Sequence, residues 1–291
     1  MINNRLRNAL IVVGILCITS CEEEPITVSG FTQNGGSVGL FSVSPNKQVR
    51  ISRGNLQYNA AKDLWRFAEH QYDLIGSTNS NISSTYDGWI DLFGWCTSGW
   101  NSGAICYQPW AVSNNPSDYF PHEPIGSYAN ADWGVYNPIH NGGNQEGMWR
   151  TMTIDEWYYL LGIDGNNKRN EKWAHATIDG VHKGIVLLPD DWSQPSGVSF
   201  VPGDNNGYMT NNYSLKEWSI MEDASAIFLP AAGERYQTEI DYYYSEGYYW
   251  SSSLSEDNEE GRAVCFLEYD YGPSWWRFDY GFSVRLIHEA N

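Results

Sequence analysis

The stretch Trp149-Arg150-Thr151-Met152-Thr153-Ile154-Asp155-Glu156-Trp157 decides the reading of this chain. Thr153 and Glu156 stand at capping-box spacing, in which each side chain satisfies the other residue's backbone N–H. Trp157, Leu160 and Leu161 then repeat at i, i+3 and i+4, so a helix over residues 153–162 with one apolar face is predicted. Ser214-Leu215-Lys216-Glu217 repeats the signal and opens a second helix, over residues 214–223.

Around these helices the chain reads as strands. Residues 176–189 (ATIDGVHKGIVLLP) form a hairpin turning at Asp179-Gly180. Beyond the second helix come AIFLPAAG, YYWSSS, RAVCFLEYD and WWRFDYGFSVRLI, four strand-like pieces parted by turn or acidic segments. Upstream, VGLFSV, QVRISRGNLQY with a bend at Arg53-Gly54-Asn55, and WRFA are extended as well. Residues 78–138 are loop-like, and a loop of that length needs anchors. Trp89, Phe93, Trp95, Trp100, Trp110 and Trp133 supply them, read as core. With no internal repeat, the expectation is one α+β domain over residues 38–291.

The 291 residues are 42% apolar and 18% charged, enough to build a substantial core and too apolar for wholesale disorder. Acids outnumber bases 35 to 17, a net charge of −18 that repels phosphate backbones and excludes nucleic acid as the expected partner. No apolar run reaches the ~18–20 residues of a membrane-spanning helix.

Arg5 and Arg7 followed by the apolar run ALIVVGILCI have the layout of a secretory leader, over residues 1–20. Ile18-Thr19-Ser20-Cys21 resembles a bacterial lipobox, which implies cleavage before Cys21 and acyl chains, palmitate among them, on that residue. Glu22, Glu23 and Glu24 resemble the acidic signal that sends lipoproteins of Bacteroidetes-type bacteria to the surface leaflet of the outer membrane. The expected layout is a lipid anchor at Cys21, an acidic tether over residues 21–37, and a body that touches the membrane only through the anchor.

Cysteine use fits an oxidising compartment. Cys96 and Cys106 flank CTSGWNSGAIC, a Gly/Ser-rich loop flexible enough to close a disulfide, although spacing alone does not show whether the Cβ atoms meet. Cys265 lies in the alternation AVCFL and reads as a small buried hydrophobe. No CxxC or HExxH is present, so no metal and no cofactor is expected. The acidic loop over residues 203–207 offers oxygens for structural calcium, but such a stretch is usually just a turn.

Four strings together resemble a known group. The Trp149–Trp157 segment is similar to the helix of formylglycine-generating-enzyme-like proteins. Phe228-Leu229-Pro230-Ala231-Ala232-Gly233, Gly247-Tyr248-Tyr249-Trp250-Ser251-Ser252-Ser253 and Gly281-Phe282-Ser283-Val284-Arg285 follow in that group's order. The chain most resembles the major paralogous domain (FISUMP) type of surface lipoprotein in gut bacteria. That resemblance implies a C-type-lectin-like fold, with two helices flanking a twisted antiparallel sheet and long aromatic-pinned loops. Fold carries over more readily than activity. The oxidases of this group use a C-terminal cysteine pair to hold copper, and here the C-terminal half has Cys265 alone. The calcium triplets of sugar-binding C-type lectins are missing too, so neither chemistry carries over. The six histidines are scattered with no Gly-x-Ser-x-Gly elbow, which argues against hydrolysis.

Residues 242–282 hold eight Tyr, three Trp and three Phe among nine nearby acids, the mixture of rigid rings and adaptable polar groups that makes a paratope. Strand preference alone explains Trp250, Phe266, Phe282 and Val284 as core. Alternation should push others outward, and Tyr269, Asp270, Tyr271, Trp275, Trp276, Arg277, Asp279 and Tyr280 are expected to line one binding face. In related C-type-lectin-like proteins this stretch is diversified by retroelements, and Tyr249-Trp250 and Ser283-Val284-Arg285 look like its fixed frame. The expected function is non-catalytic recognition of an extracellular glycan or protein, as an adhesin does. The alternatives are a divergent enzyme of the formylglycine-generating kind and an accessory subunit of a surface assembly.

Overall fold

The computed structural model describes residues 30–101, 104–163, 165, 169, 171–203 and 207–290, the Cys106 side chain excepted. The leader, Cys21 and residues 22–29 lie outside the described residues. Residues 30–37, expected as tether, belong instead to the folded body. Phe31 is buried, and the Ser37 N–H donates to the Ile51 carbonyl at 2.9 Å. Gly30, at φ 85°, lies so close to Glu222 that a Cβ would fall 1.9 Å from its carbonyl oxygen, an approach open only to glycine.

β1 (Phe41–Ser44) and β2 (Lys47–Ile51) form one antiparallel hairpin, β3 (Leu56–Asn59) and β4 (Leu64–Phe67) a second. The long stretch that follows winds through short 3-10 turns and one turn of helix, α1 (Trp133–Tyr136). Phe93, Trp95 and Trp133 anchor it in the core, as the sequence leads one to expect, while Trp89, Trp100 and Trp110 are half-buried. The Asp132 side chain caps α1 and also accepts from the Thr151 N–H at 2.8 Å, tying the loop to β5 (Arg150–Thr151).

α2 (Ile154–Leu161) carries the predicted reciprocal capping box and ends at Gly162 in the left-handed region. Its buried face, Trp157, Leu160 and Leu161, joins a core cluster with Phe41, Val49 and Ile51. β6 (Trp173–Ile178) and β7 (His182–Leu187) make the predicted hairpin, with Asp179 and Gly180 at φ 53° and 69° as a type I′ turn requires. β8 (Asn211–Tyr213) leads into α3 (Leu215–Asp223), capped by Ser214 and Glu217, and β9 (Ile227–Pro230) completes a sheet of order β8-β6-β7-β9. β8 joins β6 in parallel, whereas the other described strand pairs are antiparallel and a few isolated bridges are parallel.

β10 (Glu234–Tyr236), β11 (Glu239–Asp241), β12 (Gly247–Leu254), β13 (Gly261–Leu267), β14 (Asp270–Trp276), β15 (Tyr280–Gly281) and β16 (Leu286–Glu289) follow. They are divided among three sheets, not gathered into the single twisted sheet that the resemblance implies. β12, β13 and β14 form a meander, β15 pairs with β10, and β16 inserts between β2 and β5. The break comes after Trp276, where Phe278 is buried and its carbonyl accepts from the Trp95 N–H at 2.9 Å, pulling the chain off the meander. The result is an α+β fold, with five small, mostly antiparallel sheets among the described residues, in which β16 pairs with β2 near the start of the fold.

Candidate ligand-binding face

The meander is covered on both sides, and this decides which aromatics are available. Across the ladder, Trp250, Ala263 and Ser274 share one face with Trp276, while Tyr249, Val264 and Pro273 share the other with Trp275. The first face packs on the core around Trp95, Phe93 and Phe282, the second on the core around Trp157 and Trp173. Alternation therefore does not leave an open outer face.

The eight expected binding residues are consequently dispersed. Tyr271 lies against the Trp173 ring at 4.2 Å. Trp276 contacts the rings of Tyr248, Tyr280 and Phe282 at 5.5, 4.9 and 5.4 Å, and Tyr280 also meets Tyr236. Asp279 is buried and takes the Arg277 guanidinium through two hydrogen bonds, of 3.0 and 2.8 Å. Tyr269 and Asp270 are exposed at one end of β14 and Trp275 at the other, five residues or ~17 Å along an extended strand. They do not form one patch.

Trp275 remains, and its surroundings make a site. It is 53% exposed, and of the chain's fourteen tryptophans it alone is classed as exposed. Directly across the ladder stands Arg262, whose guanidinium lies 5.9 Å from the Trp275 ring and 5.4 Å from the Tyr158 ring. The same guanidinium donates to the Tyr158 hydroxyl at 2.5 Å, while its Nε has no partner among the described residues. Arg262, Trp275 and the β12–β13 loop enclose a cleft of about 540 Å³ lined by Ser255, Glu256, Asp257, Glu260, Arg262 and Trp275.

The loop is shaped by its own hydrogen bonds. The Ser255 hydroxyl donates to Asp257 at 2.5 Å and accepts the Glu260 N–H at 3.1 Å, and the Ser255 N–H reaches the Glu260 carbonyl at 2.9 Å. The Ser255 hydroxyl and the Glu259 N–H hold the Asp257 carboxyl below the usual carboxylate range. Asn258, at φ 58°, takes the left-handed position that Asn tolerates. A second cleft, of about 600 Å³, opens beyond the loop between Ser117, Pro121, Glu259 and Arg277, and Glu260 lines both.

Of this constellation the sequence reading contained Trp275 and Arg277. It left Tyr158 out, and it did not place Arg262 or the acids of residues 256–260 in the binding face. The available signal was the acidic run SEDNEE set between two strands, whose position identifies it as a hairpin tip.

Cys96 is a free thiol sealed in the aromatic core, where burial pushes its pKa well up. The possible bridge to Cys106 is therefore not made from the Cys96 side; the Cys106 side chain lies outside the described residues. Residues 204–206 of the calcium-loop candidate also lie outside them. Among the described residues no group of three or more His, Cys, Asp or Glu side chains could hold a metal ion. No described helix is long and apolar enough to cross a membrane. Comparison with protein-family models, with curated proteins and with solved structures returns no match.

Proposed function

We propose that the protein is a non-catalytic, surface-anchored lipoprotein that binds an extracellular ligand, glycan or protein, at the Trp275 cleft. The observation that carries this reading is the exposure of one tryptophan in a molecule where the other thirteen are buried or half-buried. A large ring left in water has a cost in solubility and gives nothing to the core, whereas such rings dominate binding energies when a partner covers them. Arg262, the neighbouring carboxylates and Ser255 add donors and acceptors around it. The loop's internal hydrogen bonds reduce the ordering cost of binding.

We read the architecture as C-type-lectin-like. Supporting this are the two capped helices, the small antiparallel sheets and the long loop pinned by aromatic residues. Placement on the outer membrane rests on the lipobox sequence at Cys21. Both parts are testable together. Wild-type protein should be captured on a glycan and cell-surface array, and Trp275→Ala should lose capture. Cys21→Ala should leave the membrane fraction while still binding. Capture unchanged by Trp275→Ala would refute the site, and membrane retention by Cys21→Ala would refute the anchor.

A further inference from the structure

The geometry points to a non-anionic oligosaccharide, a trisaccharide or longer, as the ligand, laid over the Glu260 ridge with one sugar ring in each of the two clefts. This rests on the Trp275 binding reading and narrows it to a ligand class and a length. The clefts, about 540 and 600 Å³, each fall within the ~300–1,000 Å³ of small-ligand sites, and Glu260 belongs to the walls of both. A ligand confined to the first cleft leaves the second in water, while a chain crossing Glu260 uses both.

The chemistry of the walls selects the ligand. Trp275 offers a flat apolar face suited to the CH side of a sugar ring. No protein donor reaches the carboxylates of Glu256, Glu259 and Glu260 among the described residues, so they are available as acceptors for hydroxyls or amines. In the second cleft the Arg277 charge is already taken up by Asp279, which leaves Arg262 as the one guanidinium facing four acids, Glu256, Asp257, Glu259 and Glu260. A uronate, sialylated or sulfated chain would bring further negative charge into that field and be repelled. Neutral and amino sugars meet no such barrier.

The test is an array of neutral, amino, uronate and sulfated oligosaccharides of one to six units, followed by calorimetry with hexasaccharides and monosaccharides from each class. Neutral or amino chains should bind, with affinity rising at least about tenfold from monosaccharide to trisaccharide and beyond. Ser117→Trp puts a bulky ring into the second cleft from an exposed position. It should reduce the hexasaccharide to the affinity of the short ligand without altering the short ligand itself. Glu260→Gln keeps the wall's shape and should relax the rejection of hexagalacturonate, as should high salt.

Trp275→Ala separates the two levels of the argument. If it abolishes saccharide binding while affinity is flat with length and Ser117→Trp is silent, the two-cleft inference fails and the binding reading stands. If only acidic chains bind, or only a lysine-rich peptide, the ligand class is wrong. If a saccharide binds and Trp275→Ala changes nothing, the binding reading itself fails.

Discussion

Arg262 and Trp275 face each other across the β13–β14 ladder, with the guanidinium held between the Trp275 and Tyr158 rings at 5.9 and 5.4 Å. The indole is thus exposed to solvent and still braced from one side, the condition for a contact residue that loses little freedom on binding.

Trp275→Ala should leave the fold intact. The lost cation–π contact at an exposed site is worth about 0.5–1 kcal/mol, which for a chain of this size moves the melting temperature by roughly 2–4 °C at most. Thermal unfolding followed by circular dichroism checks this, and a larger drop would place the ring in the core.

Trp276→Ala, one residue on, should behave in the opposite way. Its ring lies on the other face of the strand against Tyr248, Tyr280 and Phe282. Removal should cost about 3 kcal/mol, the lower end for a buried tryptophan because Trp276 is half-buried. A denaturant titration reads the difference directly, with ligand capture retained by whatever fraction stays folded.

These neighbouring tryptophans show how far the sequence could be read. Capping boxes and the Asp179-Gly180 turn are local devices, so α2, α3 and the β6–β7 hairpin were legible within a residue or two. The pairing of β16 with β2 is set by contacts more than two hundred residues apart and leaves no local mark. Strand alternation sends neighbours such as Trp275 and Trp276 to opposite faces, yet both were expected on one binding face. It gave no warning that a second core, built on Trp157 and Trp173, covers the far face. Arg285, noticed only as the end of a motif, is a fully buried hub that donates to Asn55 at 3.2 Å and Gln71 at 2.9 Å.

Gly30→Ala should destabilise the protein by about 1–3 kcal/mol, combining a left-handed backbone with a clash against the Glu222 carbonyl. Denaturant midpoints of the two proteins measure it. An unchanged midpoint would return residues 30–37 to the tether.

Glu234→Gln should make stability less sensitive to pH. Burial, then Glu246 and Asp241, pushes the Glu234 carboxyl up to about 7. Because the folded form holds this proton more tightly than the unfolded form, the wild type loses stability as pH rises from the ordinary Glu range to about 7. The variant should therefore be more stable than wild type at pH 8, by about 1 kcal/mol after allowing for partial solvent screening, and show no such advantage below about pH 4. Unfolding curves across that range would contradict the assignment if the two proteins ran parallel.

The most direct measurement is acrylamide quenching of tryptophan fluorescence, with and without the tightest-binding hexasaccharide, in wild-type protein and Trp275→Phe. Only Trp275 stands well out in solvent, so bound ligand should remove the most quenchable component in wild type, and that component should be missing from Trp275→Phe from the start. A wild-type protein that binds the hexasaccharide with its quenching unchanged would place the ligand elsewhere and contradict the account.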